Sequence, residues 1–168
     1  EEIDHLNSIS NALDIAREEE DLAAIRKELS DTGYVRHHFQ KGKQNTRKAP
    51  KSKPLHYISS DGFHMYVGKN NYQNDELTFK FATGNDWWFH AKAAAGSHVI
   101  VKTEGNELPD RTFEEAARLA AHYSKAREQE KAEIDYVQKK HIKKPNGAKP
   151  GFVVYYTNYS MTISTDIT

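Results

Sequence analysis

Histidine and serine are the residue types in this sequence with the clearest capacity for metal binding or catalysis. Nine histidines are present, and four alternate with apolar residues in predicted strands: His56, His64, His90 and His98. No HxH, HExxH or repeated histidine–carboxylate spacing connects them, so we favour half-buried, hydrogen-bonded strand histidines over a metal site. Ser97 and His98 are adjacent, and adjacent strand residues point to opposite faces, which disfavours a nucleophile and base pair. The glycines follow neither GxGxxG nor GxxxxGK[ST], so no phosphate-binding nucleotide loop is predicted. Taken with the histidine and serine patterns, the sequence predicts no enzyme, no metal centre and no cofactor.

A second candidate is the acid-free basic segment KKHIKKPNGAKPG, residues 139–151. It carries five lysines: Lys139, Lys140, Lys143, Lys144 and Lys149. The prolines and glycines between them predict a stiffened, turned loop between two strands rather than a helix. A surface that serves only solubility normally mixes both signs of charge, whereas turned backbone amides and lysines suit phosphate groups. We therefore predict that this loop contacts the phosphates of a nucleic acid.

The segment GKNNYQND is dense in amide side chains. Its polar members after the glycine are Lys69, Asn70, Asn71, Gln73, Asn74 and Asp75. Such side chains suit hydrogen bonds to base edges or phosphates, but Asn and Asp also satisfy turn backbones, and the composition is compatible with both uses. Three aromatic residues in succession, Trp87 to Phe89, place rings on both faces of a strand. At least one ring therefore belongs to the core, and another is available to stack on a base or to cover the sheet.

Charge is strongly segregated along the chain, although the 24 basic and 24 acidic residues cancel. Residues 1–31 hold ten acids and three bases, whereas residues 36–54 hold seven bases and no acid. Together with the lysines of residues 139–149, this pattern predicts two basic segments suited to a polyanionic partner. The mean hydropathy of -0.86 and the lack of any run of about 18 apolar residues predict no membrane span. The absence of cysteine removes disulfides and cysteine-based zinc sites, and it fits a reducing cytoplasm.

The elements that must position these groups begin with an N-terminal helical arm, residues 1–35. Apolar residues recur there at three- and four-residue steps from Ile3 to Leu29, and Gly33 is the expected stop. The stripe is compatible with one strand of a coiled coil or with packing back onto the following domain. Residues 36–54 are basic and poor in apolar side chains, which predicts a linker or a mobile loop.

Residues 55–168 show short β-type runs separated by turn residues, which predicts a separate domain. The predicted strands are LHYIS, FHMYV, LTFKFA, DWWFHA, HVIVK, IDYVQ, FVVYYT and MTIST. One principal helix is predicted from Thr112, as its N-cap, to about Gln129, because Glu115 lies three residues after Thr112 and apolar residues follow at helical spacing. The predicted fold is α+β: a mainly antiparallel mixed sheet packed against one principal helix, with an N-terminal helical (coiled-coil) arm.

Several motifs, in order, resemble the NFACT-R domain family: YVGKNNYQNDELTFKFA, DWWFHAK followed by GSHVIV, AAHYSKAR, and DYVQKKHIKKPNGAKPGFVVYY. The resemblance covers about residues 62–165, and residues 1–35 are similar to the end of the coiled-coil arm that precedes this domain in the family. It implies an RNA-binding module of a ribosome-associated quality control factor, with tRNA and large ribosomal subunit RNA as partners. The implied whole protein rescues stalled ribosomes and promotes alanine tailing of nascent chains, in the cytoplasm.

By position, the resemblance implies a binding surface of three parts. These are the residues Lys69, Asn70, Asn71, Gln73, Asn74 and Asp75, the group His90, Lys92, Ser97 and His98, and the lysines Lys139, Lys140, Lys143, Lys144 and Lys149. One departure is plain: after Lys92 the family usually has a polar residue and Pro before GSH, whereas this chain has Ala93, Ala94 and Ala95. The change removes a polar, proline-stiffened turn but retains the GSH residues.

Two further hypotheses stand beside RNA binding. Some Gram-positive relatives carry a fibronectin- or fibrinogen-binding label, which implies an adhesin fragment that acts as a protein-binding module at the cell surface. The residues of this chain provide no mechanism for that role. The third hypothesis is a small enzyme that uses His90, Ser97 and His98, and the spacing of these residues gives it little support.

Overall fold

The computed structural model describes residues 2–34 and 52–166, which form an α+β fold as predicted. The helices are α1 (Glu2–Ile15), α2 (Glu19–Asp31), α3 (Asn71–Asp75) and α4 (Asp110–His122). The strands are β1 (Leu55–Ile58), β2 (His64–Val67), β3 (Trp87–Ala91), β4 (Val99–Val101), β5 (Lys131–Gln138) and β6 (Tyr159–Ser164). A π-helix (Glu76–Phe81) follows α3, and short 3-10 turns cover Lys125–Glu128 and Lys139–His141. Most of the predicted basic linker, residues 36–51, lies outside the described residues.

The N-terminal arm is a pair of helices with a small core of its own. The apolar residues that fill this core are Ile9, Ala12, Ala16, Ile25 and Leu29. Helix α2 ends where expected: Gly33 has a φ of 87°, and the Tyr34 N–H donates to the Leu29 carbonyl at 2.9 Å across the turn. Helix α1 packs back onto the domain, where Asn11 Nδ2 donates to the Tyr123 carbonyl at 3.0 Å.

A six-stranded sheet lies in the described residues, with the order β1-β2-β4-β3-β5-β6. Each neighbouring pair of these strands is antiparallel. Strand β3 is central: Trp88 lies opposite Ile100 of β4 and opposite Val137 of β5. Successive residues of a strand point to opposite faces, so Phe89 faces one layer and Trp88 faces the other.

Helix α4 covers the Phe89 face of the sheet. Its buried alanines, with Phe89, Val99 and Ile134, belong to the larger hydrophobic core. The helix differs from the prediction at both ends, because it begins at Asp110 and ends at His122. Thr112 is not the N-cap: its buried hydroxyl bonds to Ser59 Oγ at 2.9 Å and donates to Asp61 Oδ2 at 2.9 Å. Tertiary partners therefore account for the Thr112 side chain.

The Trp88 face is covered by segments that were expected to be strands or loops. LTFKFA is not a strand but forms most of the π-helix, which buries both Leu77 and Thr78. GKNNYQND is not a simple loop, because most of it forms α3. FVVYYT is not a strand either: it forms one isolated antiparallel bridge, between Val154 and Lys143, and packs on the Trp88 core through Val153 and Tyr155.

Candidate nucleic-acid interface

The amides of GKNNYQND bond mainly to the protein itself. Asn70, Asn71, Gln73 and Asn74 are each at most 7% exposed. Asn70 Oδ1 accepts a hydrogen bond from the Gln73 N–H at 2.9 Å and so caps α3. Asn74 Oδ1 accepts one from the His98 backbone N–H at 3.1 Å, which joins this segment to the GSH turn. These amides therefore hold neighbouring elements of the protein in position.

A buried polar cluster joins the same segment to the arm. Asn71 Nδ2 donates to Glu28 Oε2 at 2.7 Å and to Ser8 Oγ at 2.8 Å. His5 Nε2 lies 2.8 Å from the same Glu28 oxygen, and both His5 and Glu28 are at most 1% exposed. A buried carboxylate requires such partners, since leaving it without them is strongly unfavourable. The cluster therefore holds the arm against α3.

Lys69, an expected phosphate ligand, forms an internal ion pair. Its Nζ lies 2.8 Å from Asp21 Oδ1, and the two side chains are 11% and 2% exposed. Ser52 donates to the same Asp21 oxygen at 2.5 Å and accepts from Gln73 Nε2 at 2.8 Å. Burial alone would raise the pKa of Asp21, but hydrogen bonds from Lys69, Ser52 and two backbone N–H groups lower it to about 2. Lys69 thus contributes to the docking of the arm.

His98 and Ser97 lie side by side but do not form a catalytic pair. His98 Nε2 lies 3.1 Å from the Gly151 carbonyl oxygen, and its Nδ1 lies 2.8 Å from Thr78 Oγ1. A carbonyl only accepts, so the His98 ring is the neutral tautomer protonated at Nε2, and the Thr78 hydroxyl donates to Nδ1. Burial, and next the nearby His90, hold the pKa of His98 well below its ordinary value. Both ring nitrogens are occupied, which leaves neither to activate Ser97.

Lys144 holds the lysine loop, residues 139–151, against α3. Its Nζ donates to the carbonyls of Lys149 at 2.6 Å and Phe152 at 2.9 Å, and to Asp75 Oδ1 at 3.2 Å. An ammonium group has three donors, so these acceptors use all of them. Asp75 Oδ1 also accepts from the Gly151 N–H at 2.9 Å. Lys144 and Asp75 therefore shape the loop from within.

The other lysines of the loop differ in exposure. Lys140 and Lys143 are exposed and Lys139 is half-buried, and none of the three forms an ion pair within the described residues. Lys149 is also half-buried, with its Nζ 5.7 Å from the centre of the Tyr34 ring. The accessible positive charge of the loop thus lies mainly on Lys139, Lys140 and Lys143.

An open cleft of about 1000 Å³, here called the α1 cleft, lies beside the end of this loop. It is lined by Asp4, Asn7 and Ser8 of α1, by Trp88 and His90 of β3, by residues 92–96, by residues of the Lys125–Glu128 turn, and by residues 151–153 and Tyr155. Four of the predicted site residues meet there: Asn71, His90, Lys92 and His98. The fold thus assembles one concave surface from the arm, the sheet and the end of the lysine loop.

His90 and Lys92 present different chemistry to the α1 cleft. The His90 ring stacks on Trp88, with 5.5 Å between ring centroids and 10° between ring planes. Burial lowers the pKa of His90 below its ordinary value, which favours the neutral ring. Lys92 has half of its side chain exposed, and its Nζ lies 3.9 Å from Glu133 Oε1, at the outer limit of an ion pair. The cleft therefore offers a planar neutral ring and a half-exposed cation, and the carboxylates of Glu133 and Asp4 also line it.

The sequence prediction did not assign the acids of the arm to specific partners. Asp14 of α1 bonds to Lys125 at 2.7 Å and to Arg127, in addition to the pairing of Asp21 with Lys69. The sequence feature that could have indicated these ion pairs is the excess of acids in residues 1–31, which is opposite in charge to the basic residues later in the chain. Tyr155, which lines the cleft, was also missed because FVVYYT resembles a strand.

Two structural features are absent from the described part of the chain. No cluster of three or more histidine and acidic side chains in residues 2–34 and 52–166 is placed to hold a metal ion. Nor does any helix in these residues combine the length and the apolar character needed to cross a membrane.

Comparison with known proteins gives a consistent result. The family model described as "NFACT protein RNA binding domain" matches residues 53–157. The Rqc2 homolog RqcH of Bacillus subtilis (strain 168) is 38% identical over 167 residues, which are 99% of this chain and 28% of that protein. The Rqc2 homolog RqcH of Streptococcus pneumoniae serotype 2 is 41% identical over 165 residues, 96% of this chain and again 28% of that protein. This chain therefore spans less than a third of the length of these relatives.

A solved structure has the same fold over nearly the whole chain. It is described as the C-terminal of the fibronectin/fibrinogen-binding protein from Streptococcus suis. The TM-score is 0.85 at 38% sequence identity, and the match covers 98% of this chain and 64% of that one. With the family model matched across most of the sheet domain, this chain belongs to the NFACT protein RNA binding domain family.

Proposed function

We propose that this chain is the non-catalytic RNA-contacting part of a cytoplasmic, ribosome-associated quality control factor. In this proposal it binds tRNA and large ribosomal subunit RNA, and the whole protein rescues stalled ribosomes and promotes alanine tailing of nascent chains. The family model and the RqcH relatives support the role in ribosome quality control. The structural support is the group of lysines without ion-pair partners in the described residues, Lys139, Lys140 and Lys143, on a loop that ends at the α1 cleft.

The predicted site residues divide by exposure into two roles. Direct phosphate contact is assigned to Lys92, Lys139, Lys140 and Lys143. Positioning of the surface is assigned to Lys69, Asn70, Asn71, Gln73, Asn74, Asp75, Ser97, His98 and Lys144, whose polar groups are buried or bonded within the protein. His90 and Lys149 are assigned to neither role alone, because each is partly buried and keeps part of its side chain exposed. Phosphate contacts supply affinity without sequence information, so the lysines alone provide general RNA binding.

The test is a titration of the chain against tRNA and large ribosomal subunits at several salt concentrations. If the four directly assigned lysines meet phosphates, log K falls against log salt with a slope of about -3 to -4, at roughly 0.7 to 0.9 per contact. The variant Lys140→Gln/Lys143→Gln should weaken binding and reduce the magnitude of the slope by about 1.5. A matched control is Arg26→Gln/Lys27→Gln, which removes the same charge from exposed positions of α2. A salt-independent affinity, or equal losses in both double variants, would overturn the proposal.

A second candidate function is binding of fibronectin or fibrinogen. The observation that favours it is the similarity to the C-terminal of the fibronectin/fibrinogen-binding protein from Streptococcus suis, which shares the fold at 38% identity. The same variants distinguish the two functions, since binding to immobilised fibronectin that is unchanged in Lys140→Gln/Lys143→Gln would assign fibronectin to a different surface. Absence of fibronectin binding at micromolar chain concentration would remove this candidate.

A further inference from the structure

The inner wall of the α1 cleft consists of flat rings that are already fixed in place. The ring centroids of Trp88 and Tyr155 lie 4.9 Å apart, and His90 stacks on Trp88. The Tyr155 hydroxyl donates to Asp135 Oδ2 at 2.7 Å, which fixes the orientation of that ring. Rings held in this way lose little conformational entropy when a planar ligand stacks on them, and every nucleobase has a face that can stack.

The rim of the cleft at residues 93–96 presents backbone N–H groups. Ala93 has a φ of 54°, in the left-handed region that a residue with a side chain rarely adopts. Both sides of the segment are anchored, because the Lys92 N–H bonds to the β5 backbone at 2.9 Å and the Lys125 N–H donates to the Ala95 carbonyl at 2.8 Å. Ala94 closes a turn at residues 92–93, and within the described residues the backbone N–H groups of Ala93, Ala95 and Gly96 donate no hydrogen bond. Successive free N–H groups at a left-handed turn form a concavity suited to an anion.

We propose that the α1 cleft receives one unstacked nucleotide of a single-stranded RNA segment. The base lies against the rings of His90 and Tyr155, and its phosphate lies at the N–H groups of Ala93, Ala95 and Gly96 and at Lys92 Nζ. The cleft volume of about 1000 Å³ is at the upper end for small-molecule sites, so a nucleotide fits with room for the RNA backbone to continue.

This inference rests on the proposed RNA-binding function and adds the form of RNA that is recognised. Bases in a duplex are stacked on each other and are not available to a concave aromatic site, whereas loops, bulges and ends offer unstacked bases. The lysine loop binds any RNA through phosphate, and the cleft favours single strands. The two surfaces are therefore separable by experiment.

Tryptophan fluorescence reports on the cleft directly. The chain has two tryptophans, and Trp87 packs on the other face of the sheet, 4.9 Å from the Phe113 ring. The variant Trp87→Phe leaves Trp88, which lines the cleft, as the sole reporter. We expect Trp88 emission to change on titration with a single-stranded RNA 12-mer, and to stay constant with a blunt RNA duplex of equal length. Binding of both RNAs is followed in parallel by anisotropy of an end label.

The outcomes separate the inference from the function on which it rests. If the single strand binds by anisotropy without a change in Trp88 emission, or if the duplex changes it equally, the cleft proposal is wrong and RNA binding stands. If neither RNA binds, the proposed function fails as well. A nucleoside monophosphate that binds as tightly as the 12-mer would make the cleft a site for free nucleotides, which also overturns the proposal.

Variants of the ring wall provide an independent test. Tyr155→Leu and His90→Ala should each weaken single-strand binding roughly tenfold while duplex binding stays within about twofold. Tyr155→Phe keeps the ring and should retain most of the single-strand affinity. His56→Ala is the matched control, because His56 is exposed on β1 and does not line the cleft. Equal losses for single strand and duplex, in variants whose thermal unfolding is unchanged, would contradict the proposal.

Discussion

Lys144 and Asp75 are 69 residues apart in sequence, and their side chains meet at 3.2 Å. The contact joins the lysine loop to α3, and Asp75 also accepts from the Gly151 N–H. The lysine loop was predicted to bind RNA because of its positive charge, but one of its lysines, Lys144, has a structural role. Adjacent lysines of this loop should therefore behave differently on substitution.

Replacement of Lys144 by Met should destabilise the fold, whereas Lys143→Met should not. Lys144→Met leaves two carbonyls and a carboxylate without their donor, which costs about 1 to 3 kcal/mol in the free energy of unfolding. Lys143→Met removes an exposed charge and should change that free energy by less than about 0.5 kcal/mol while weakening RNA binding. Urea unfolding and RNA titration of both variants measure the difference. Similar midpoints for the two variants would contradict the structural role of Lys144.

Gly151 and Gly147 form a matched pair for a second prediction. Both have left-handed backbones, with φ of 86° and 74°. An added methyl at Gly147 meets nothing within 4 Å, so Gly147→Ala should cost only the conformational term of about 1 to 2 kcal/mol. At Gly151 the methyl would lie 2.8 Å from Asn71 Cγ, and Asn71 is held by Glu28 and Ser8. Gly151→Ala should therefore cost roughly 1 to 3 kcal/mol more than Gly147→Ala in urea unfolding, and equal costs would contradict this packing.

The local sequence pattern correctly predicted the central strands of the sheet. Strands β3 and β5 were predicted because DWWFHA and IDYVQ are short runs rich in aromatic and β-branched residues, and the structure places strands there at Trp87–Ala91 and Lys131–Gln138. The same reasoning gave the wrong structure for LTFKFA, where Leu77, Phe79 and Phe81 alternate with polar residues. In the π-helix, Leu77 contributes to the core with Trp88, and this packing overrides the local pattern.

The basic composition of the candidate site could be read from the sequence, but the hydrogen bonds and ion pairs among its residues could not. The lysine loop stands out in the sequence because it lacks acids, but the sequence did not distinguish its exposed lysines from Lys144, which is bonded within the protein. The partners of Lys69 and Asn71 lie 48 and 43 residues away, and no local pattern indicates which acid meets which base. Such pairings depend on how the arm packs, so sequence alone did not separate positioning residues from candidate ligands.

The protonation state of His98 provides a third prediction. We expect its ring to remain neutral at pH 6 with the proton on Nε2, because the Gly151 carbonyl accepts from Nε2 and burial lowers the pKa. The folded pKa lies below the unfolded one, so the unfolded chain binds the proton first, and the free energy of unfolding falls as the pH drops below about 6.5. Nitrogen-15 NMR of the ring distinguishes the tautomers, and a protonated or Nδ1–H ring at pH 6 would contradict the assignment.

Acid unfolding tests the docking of the arm through Asp21 and Lys69. The pKa of Asp21 is lowered to about 2 in the folded chain from an ordinary value of 3.8, because hydrogen bonds from Lys69 and Ser52 outweigh the effect of burial. A depressed folded pKa stabilises the fold above the unfolded pKa, and that stabilisation is lost as the pH falls towards 2. The shift corresponds to about 2 kcal/mol.

The variant Asp21→Asn should therefore show two effects in urea unfolding. At pH 7 it should lower the free energy of unfolding by roughly 3 to 5 kcal/mol, because Lys69, only 11% exposed, is left without its counter-charge. Between pH 5 and pH 2 it should lose about 2 kcal/mol less than the parent chain, because it no longer has the carboxylate to protonate. Lys27→Met is the comparison, since Lys27 pairs with Asp31 at the surface and is 70% exposed, so its loss should cost less than about 1 kcal/mol at either pH. Parallel pH curves for Asp21→Asn and the parent would show that Asp21 does not carry the acid sensitivity of the arm.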